Sequence, residues 1–141
     1  MTTSIRHESP QAAWDALVRG NNRFVTGAPA HPRQDIERRE ALAAKQKPFA
    51  AVFGCADSRL SAEIIFDVGL GDLFVVRNAG QVIAETILGS LEFAVEVLNV
   101  PLILVLGHDE CGAVRSTMNA ADGTLEIEGE YIHKLVSRIM P

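Results

Sequence analysis

Two thiols, an imidazole, a carboxylate and a guanidinium carry the chemistry that this sequence can do. Cys55, Asp57 and Arg59 stand at alternate positions in Gly54-Cys55-Ala56-Asp57-Ser58-Arg59. His108 and Cys111 stand three apart in Gly107-His108-Asp109-Glu110-Cys111-Gly112. The chain has only two cysteines, and each lies just beyond an apolar run that stops at a glycine. Two thiolates and one imidazole make a donor set that suits zinc and leaves a fourth position open. Asp57 can fill that position with an oxygen. Alternatively it can turn to Arg59, whose guanidinium binds a carboxylate through paired hydrogen bonds. The first arrangement closes the site; the second leaves room for water. Zinc-bound water ionises near pH ~7 instead of ~15.7. Two thiolates donate more charge than three imidazoles, so a somewhat higher value is expected here. Taken singly the signals are weak: a cysteine after a strand is mostly packing, and Asp-x-Arg is mostly a surface ion pair. Spacing alone leaves a structural zinc site open.

The elements that must position these groups alternate between strand and helix. Residues 49–54, 73–77 and 102–107 are apolar runs of strand character. The last is continuous in its apolarity, which predicts a central, parallel strand. Ser9-Pro10 is an N-cap and first-turn pair opening a helix with Ala13, Trp14, Leu17 and Val18 on one stripe, and Trp14 is expected to anchor packing. Gly20-Asn21-Asn22 is expected to end or bend it. The Pro-containing segment 28–34 is extended. An amphipathic helix with such an arm either embraces a partner subunit or caps its own domain. Asp35 to Lys45 reads as a polar surface helix, and 61–66 as a short helix with Ile64, Ile65 and Phe66 inward. Residues 84–98 form a helix with Ile87, Leu91, Ala94, Val95 and Leu98 on one face, stopped by Asn99 and Pro101. Phe93 falls almost opposite that face, near Gly89 and Val97, and needs another surface to cover it. Helices follow at about 112–121 and 129–139, separated by Asp122-Gly123. This order predicts an α/β fold: a central, mostly parallel sheet flanked by helices, with an N-terminal helical arm. In such sheets ligands gather beyond the strand C-termini, where both cysteines lie.

Composition bounds the function classes. With 141 residues the chain is expected to form one domain, 1–141, with 1–34 as helix and arm and 46–141 as the zinc-binding core. Its 48% apolar and 22% charged residues are those of an ordinary globular protein. The net charge of −5 and the absence of a basic stripe argue against a nucleic-acid partner. No run reaches the ~18 apolar residues of a membrane span. Met1 to Glu8 is polar and lacks a signal peptide's apolar region, so a cytoplasmic location is expected. His7 and His31 sit in polar segments, and His133 on a terminal helix, so all three are expected at the surface. Glu126, Glu128 and Glu130 form a solvated acidic face. Gly69-x-Gly71 lacks the strand-to-helix setting of a dinucleotide fingerprint.

Together, Cys55-Ala56-Asp57-Ser58-Arg59 and His108-Asp109-Glu110-Cys111-Gly112 resemble the signature of the bacterial β-class carbonic anhydrases. Ser9-Pro10-x-x-Ala13-Trp14-x-x-Leu17-x-x-Gly20-Asn21-x-Arg23-Phe24, Phe74-Val75-Val76-Arg77-Asn78-Ala79-Gly80 and Gly89-Ser90-Leu91-Glu92-Phe93-Ala94-Val95 extend the likeness over nearly the whole chain. The resemblance implies a zinc lyase that reversibly hydrates carbon dioxide to bicarbonate and a proton, using zinc-bound hydroxide. It implies one Zn²⁺ per chain on Cys55, His108 and Cys111, with Asp57 joining them in a closed state. It implies Asp57 and Arg59 as the catalytic, orienting pair. Gln46, Phe74, Phe93 and Gly112 match substrate-binding positions, and the family's shared pocket walls imply a homodimer or homotetramer. A second bicarbonate pocket of some members is not expected, because Arg77 is present but Val52 stands at its tryptophan position. The family usually runs on past this length, so the C-terminal part of its fold is expected to be missing here. Two other readings share these residues: a carbon disulfide or carbonyl sulfide hydrolase, and a non-catalytic zinc-stabilised subunit.

Overall fold

A computed structural model describes residues 9–141; Met1 to Glu8, including His7, lie outside the described residues. The order of elements is α1 (Pro10–Val25), α2 (Ile36–Ala41), β1 (Ala50–Cys55), α3 (Ala62–Ile65), β2 (Leu73–Asn78), α4 (Glu85–Glu96), β3 (Ile103–Leu106), α5 (Gly112–Ala121) and α6 (Glu130–Ile139). The three strands form one parallel sheet in the order β2-β1-β3. The α/β class and the strand-helix alternation are as the sequence predicts. The position of the third strand is not: β3 is an edge, and β1 is central. Its apolarity misleads because one side of β3 is left uncovered. Ile103 and Val105 stand in register with Ala51 and Phe53, on the α4 side, yet are 40% and 59% exposed.

Alternation along β1 feeds two cores, since successive side chains point to opposite faces. Ala50 and Val52 pack with Ala13 and Leu17 of α1 and with Ala62, Phe66 and Val68 around α3. Ala51 and Phe53 pack on the other face with Ile87, Leu91 and Ala94 of α4. Every residue of β1 is buried, so this strand is held from both sides. Burying a side chain such as Phe53 or Leu17 contributes roughly 1.5–3 kcal/mol. A rigid β1 fixes Cys55, its last residue.

Helix α1 starts as expected, with the Ser9 hydroxyl accepting from the Ala12 amide and Pro10 in the first turn. It does not stop or bend at Gly20. A Cβ there would lie 1.7 Å from the Phe66 carbonyl oxygen, so the glycine lets an unbroken helix press against the end of α3. Trp14 is 44% exposed rather than buried as a packing anchor; Ala13 and Leu17 alone are fully buried from that stripe. Ile64 is also exposed rather than inward, because α3 is a single turn with Ala62 on its buried side. Val95 likewise sits at the rim of the α4 core face. The segment 28–34 is tied back onto its own chain: the Ala30 and His31 amides donate to the Asp67 carboxylate. Helix α2 is shorter than expected and not merely a surface element. Its Arg38 is buried and donates to the Leu70 carbonyl and to Asp72, a group that Arg33 also holds. Helix α4 ends before Asn99, which takes a left-handed φ of 54° ahead of Pro101. No helix among the described residues is long and apolar enough to cross a membrane.

Candidate metal centre

Cys55 ends β1, while His108 and Cys111 come from the loop between β3 and α5, where Cys111 is the residue before the first helical position. Because β3 lies beside β1 in parallel, both strands deliver their C-terminal ends to the same place. One ligand atom from each of the three residues lies within 4.8 Å of the others. The sulfurs of Cys55 and Cys111 are 3.9 Å apart. Two zinc–sulfur bonds of ~2.3 Å at a tetrahedral angle would place sulfurs about 3.8 Å apart.

The imidazole is oriented to match. His108 Nδ1 lies 2.7 Å from the Asp109 carbonyl oxygen, which can only accept, so Nδ1 carries the proton. Nε2 then presents a lone pair, and it is buried with no hydrogen-bond partner among the described residues. An orphaned buried acceptor beside two sulfurs is the donor set of a soft or borderline cation. The residues therefore fit zinc. The electrostatics of the Cys55 thiol agree. Burial pushes the Cys55 thiol up, but the Gly80 amide, the adjacent His108 ring, the Asp57 amide and Cys111 together outweigh it and bring it from 9.0 to about 7. The Gly80 amide is 3.3 Å from the sulfur. The neighbouring Cys55 sulfur in turn raises His108 above 6.5 against the opposing effect of burial.

Asp57 is held away from the three ligand atoms. Arg59 donates from Nε to Oδ1 at 2.9 Å and from Nη2 to Oδ2 at 2.7 Å, and its amide also reaches Oδ1. These bonds hold the carboxyl far below the usual carboxylate range and raise the guanidinium in return. A second bond runs from Arg59 Nη2 to the Glu110 carbonyl, 3.2 Å away. Glu110 takes a left-handed φ of 56° and sits between His108 and Cys111, so the orienting pair and the ligand loop share one anchor.

Several contacts had no signal in the sequence. Arg77 donates to the carbonyls of Cys55 and Asp57 at 2.8 and 2.7 Å, pinning the backbone on both sides of Ala56. Its place in register with Gly54 could have suggested this only once the strand pairing was known. Gly80, at φ 76°, is the other addition.

Of the remaining expected site residues, Gly112 directly follows Cys111, while Gln46, Phe74 and Phe93 lie away from the thiol end. Phe74 and Phe93 do pack together, with ring centroids 6.1 Å apart. Phe74 pairs with Ala51, however, and Asn78 with Cys55, so four residues of strand, roughly 13 Å, separate Phe74 from the thiol end. Gln46 is exposed and precedes β1, beyond its opposite end from Cys55. Gly112 opens α5, and a Cβ there would meet nothing within 4 Å. His31 and His133 are exposed, as expected.

The chain as a whole resembles known proteins. A family model described as "Carbonic anhydrase" matches residues 50–141. The chain is 60% identical over 134 residues to "Carbonic anhydrase 2" of Mycobacterium tuberculosis, covering 94% of this chain and 64% of that protein. It is 56% identical over 135 residues to "Carbonic anhydrase" of Mycolicibacterium smegmatis, covering 96% of this chain and 65% of that protein. Among solved structures, a Coccomyxa β-carbonic anhydrase in complex with acetazolamide matches with a TM-score of 0.63 at 27% identity, over 86% of this chain and 53% of the other. The chain thus spans just under two thirds of the length of these curated relatives.

Proposed function

The chain belongs to the β-class carbonic anhydrases, and from that membership we propose that its protein catalyses the reversible hydration of carbon dioxide to bicarbonate and a proton, a zinc lyase reaction. The observation that carries this reading is the Cys55–His108–Cys111 group standing beside a carboxylate that is fixed by Arg59.

In this reading Cys55, His108 and Cys111 hold one Zn²⁺ per chain. Zinc so held supplies a Lewis acid that makes water nucleophilic near neutral pH. The protein's own residues do the rest. The Gly80 amide and Arg77 keep Cys55 in place; the Asp109 carbonyl fixes the tautomer of His108. Asp57 stays ionised at any working pH because Arg59 binds both of its oxygens. A permanently ionised carboxylate can only accept a hydrogen bond. It therefore takes one from the attacking water and aims the remaining lone pair at the substrate carbon. Asp57 serves as metal ligand only if it leaves Arg59, which defines the closed state.

The substrate wall is proposed to come from a second copy of the chain. Gln46 and the Phe74–Phe93 pair lie toward the other end of the sheet from Cys55, and Phe93 is 43% exposed. Two copies can put one chain's apolar pair and amide against the other chain's thiol end. Exposed Trp14, Phe24 and Val25 on α1 give such a pairing apolar area to bury. The protein is accordingly read as a homodimer or homotetramer. It is placed in a reducing compartment such as the cytoplasm, where both thiols stay available to metal.

Stopped-flow carbon dioxide hydration with measured zinc content tests the reading. Asp57→Ala should retain zinc and lose activity by about 10²-fold or more, the cost of removing an orienting group. Full activity in Asp57→Ala, or no hydration by a zinc-replete wild type, overturns it. Hydrolysis of carbonyl sulfide in preference to carbon dioxide hydration would assign the same residues to the other substrate.

A further inference from the structure

The only two cysteines of the chain meet as free thiols, with Sγ atoms 3.9 Å apart. Their surroundings differ. Cys55 ends the fully buried strand β1 and is 6% exposed. Cys111 is half-buried and lines a groove of about 270 Å³ along α5, together with His108, Glu110, Val114 and Met118. We propose that Cys55 and Cys111 form a peroxide-sensitive modification site: hydrogen peroxide converts them to an intrachain disulfide, and that bond and bound zinc exclude each other.

The step balances on these two residues and the peroxide. The Cys111 thiolate, reached through the groove, attacks one peroxide oxygen. A sulfur–oxygen bond forms, the oxygen–oxygen bond breaks, and hydroxide leaves. The Cys55 thiolate then attacks the Cys111 sulfenic sulfur. The sulfur–sulfur bond forms, the sulfur–oxygen bond breaks, and a second hydroxide leaves. Protons shed by the thiols turn both hydroxides into water. Two thiols and one peroxide thus give one disulfide and two waters, the sulfurs losing two electrons and the peroxide gaining them. The structure favours this order. Cys111 is the residue before the first position of α5, where helix amides favour a thiolate. The Gly80 amide, 3.3 Å from Cys55 Sγ, supports charge on the inner sulfur. Closing from 3.9 Å to the ~2.05 Å of a disulfide is a shift of the size that turning one cysteine side chain about its Cα–Cβ bond covers. Cys111 is better placed to move. The loop before it is tied through Glu110 to Arg59 and Arg115, whose side chains are exposed, and a Cβ on the following Gly112 would meet nothing within 4 Å. Zinc takes both sulfurs as thiolates, whereas a disulfide offers none and leaves His108 alone. No third cysteine competes for either sulfur. The disulfide does not depend on the carbonic anhydrase reading; only the release of zinc rests on the metal assignment.

Hydrogen peroxide treatment of the zinc-loaded full chain, followed by alkylation with N-ethylmaleimide and intact-mass measurement, tests this. The product should be about 2 Da lighter than the reduced chain and take up no alkyl group. Its peptide map should hold a Cys55–Cys111 link, and a chromogenic chelator should collect one zinc per disulfide. Dithiothreitol should restore both thiols and zinc binding. Removing zinc beforehand should speed the disulfide about tenfold or more, since the free thiolate is the stronger nucleophile. Cys55→Ser should leave a Cys111 sulfenic acid that dimedone traps. The proposal is overturned if the treated chain still takes up two alkyl groups, gains oxygen without linking, links only between chains, or forms the disulfide while zinc stays bound. A disulfide in a chain that takes up no zinc would uphold the thiol pair and contradict the metal assignment instead.

Discussion

Replacing Gly80 by alanine should damage both the fold and the metal centre. Gly80 lies at φ 76°, a region that costs a non-glycine residue roughly 1–2 kcal/mol. A Cβ there would also sit 2.8 Å from Ile139 Cδ1 and 3.0 Å from Ala113 Cβ. Overpacking of this kind costs about 1–3 kcal/mol. The Ile139 tip can yield but the Ala113 methyl cannot, which favours the middle of that range. The sum is about 3–4 kcal/mol, a large share of the 5–15 kcal/mol typical of a domain. Any shift of the loop also withdraws the Gly80 amide from Cys55 Sγ, so the thiol should climb from about 7 toward 9.0. Urea unfolding of Gly80→Ala, Ile139→Ala and the double variant measures the energy. Removing the isoleucine tip frees the nearest contact, so the double variant should be more stable than the sum of the singles predicts by about 1 kcal/mol. Alkylation rate against pH in metal-free protein follows the thiol. Stability within about 0.5 kcal/mol of wild type, or strict additivity in the cycle, would refute the reasoning.

Other perturbations follow from the same contacts. Gly20→Ala should destabilise by more than about 3 kcal/mol, because its Cβ would lie 1.7 Å from the Phe66 carbonyl oxygen and α1 must lift off the end of α3; thermal unfolding and loss of Leu17 burial would register it. Asp67 should give stability a distinct acid limb. Burial raises its carboxyl, but the Ala30 amide, Arg23 and the His31 amide outweigh that and leave it below the usual 3.8. A lowered folded pKa contributes stability above the unfolded value and loses it as pH falls through the folded one. Unfolding free energy should therefore drop below pH ~4, and Asp67→Asn should lose about 2 kcal/mol at pH 7 and show a flatter acid limb. An unchanged acid limb in Asp67→Asn would remove Asp67 from that role.

How much of this was legible beforehand depended on whether local chemistry or tertiary context decides a position. Ser9-Pro10 announces α1, and Asp122-Gly123 separates α5 from α6, because caps and turns are set by the residues themselves. The metal group was legible because two thiols and an imidazole at strand ends have little other reason to coincide. Gly20 misled because glycine reads as a helix breaker, whereas here it serves a contact with Phe66 that lies far away in sequence. Arg38 misled because a charged residue in a polar run reads as surface, while Asp72 and the Leu70 carbonyl satisfy it inside. The edge position of β3 was not legible, since four apolar residues look alike whether covered on one face or two. The Arg77, Gly80 and Glu110 contacts at the site arise from backbone carbonyls, a backbone amide and a left-handed turn, none of which a residue type encodes.

Zinc K-edge X-ray absorption of the zinc-loaded protein addresses the donor set directly. One zinc per chain with two sulfur scatterers at ~2.3 Å and one imidazole is expected, and Cys55→Ser should leave a single sulfur. A shell with no sulfur, or one unchanged by Cys55→Ser, would contradict the assignment of Cys55, His108 and Cys111.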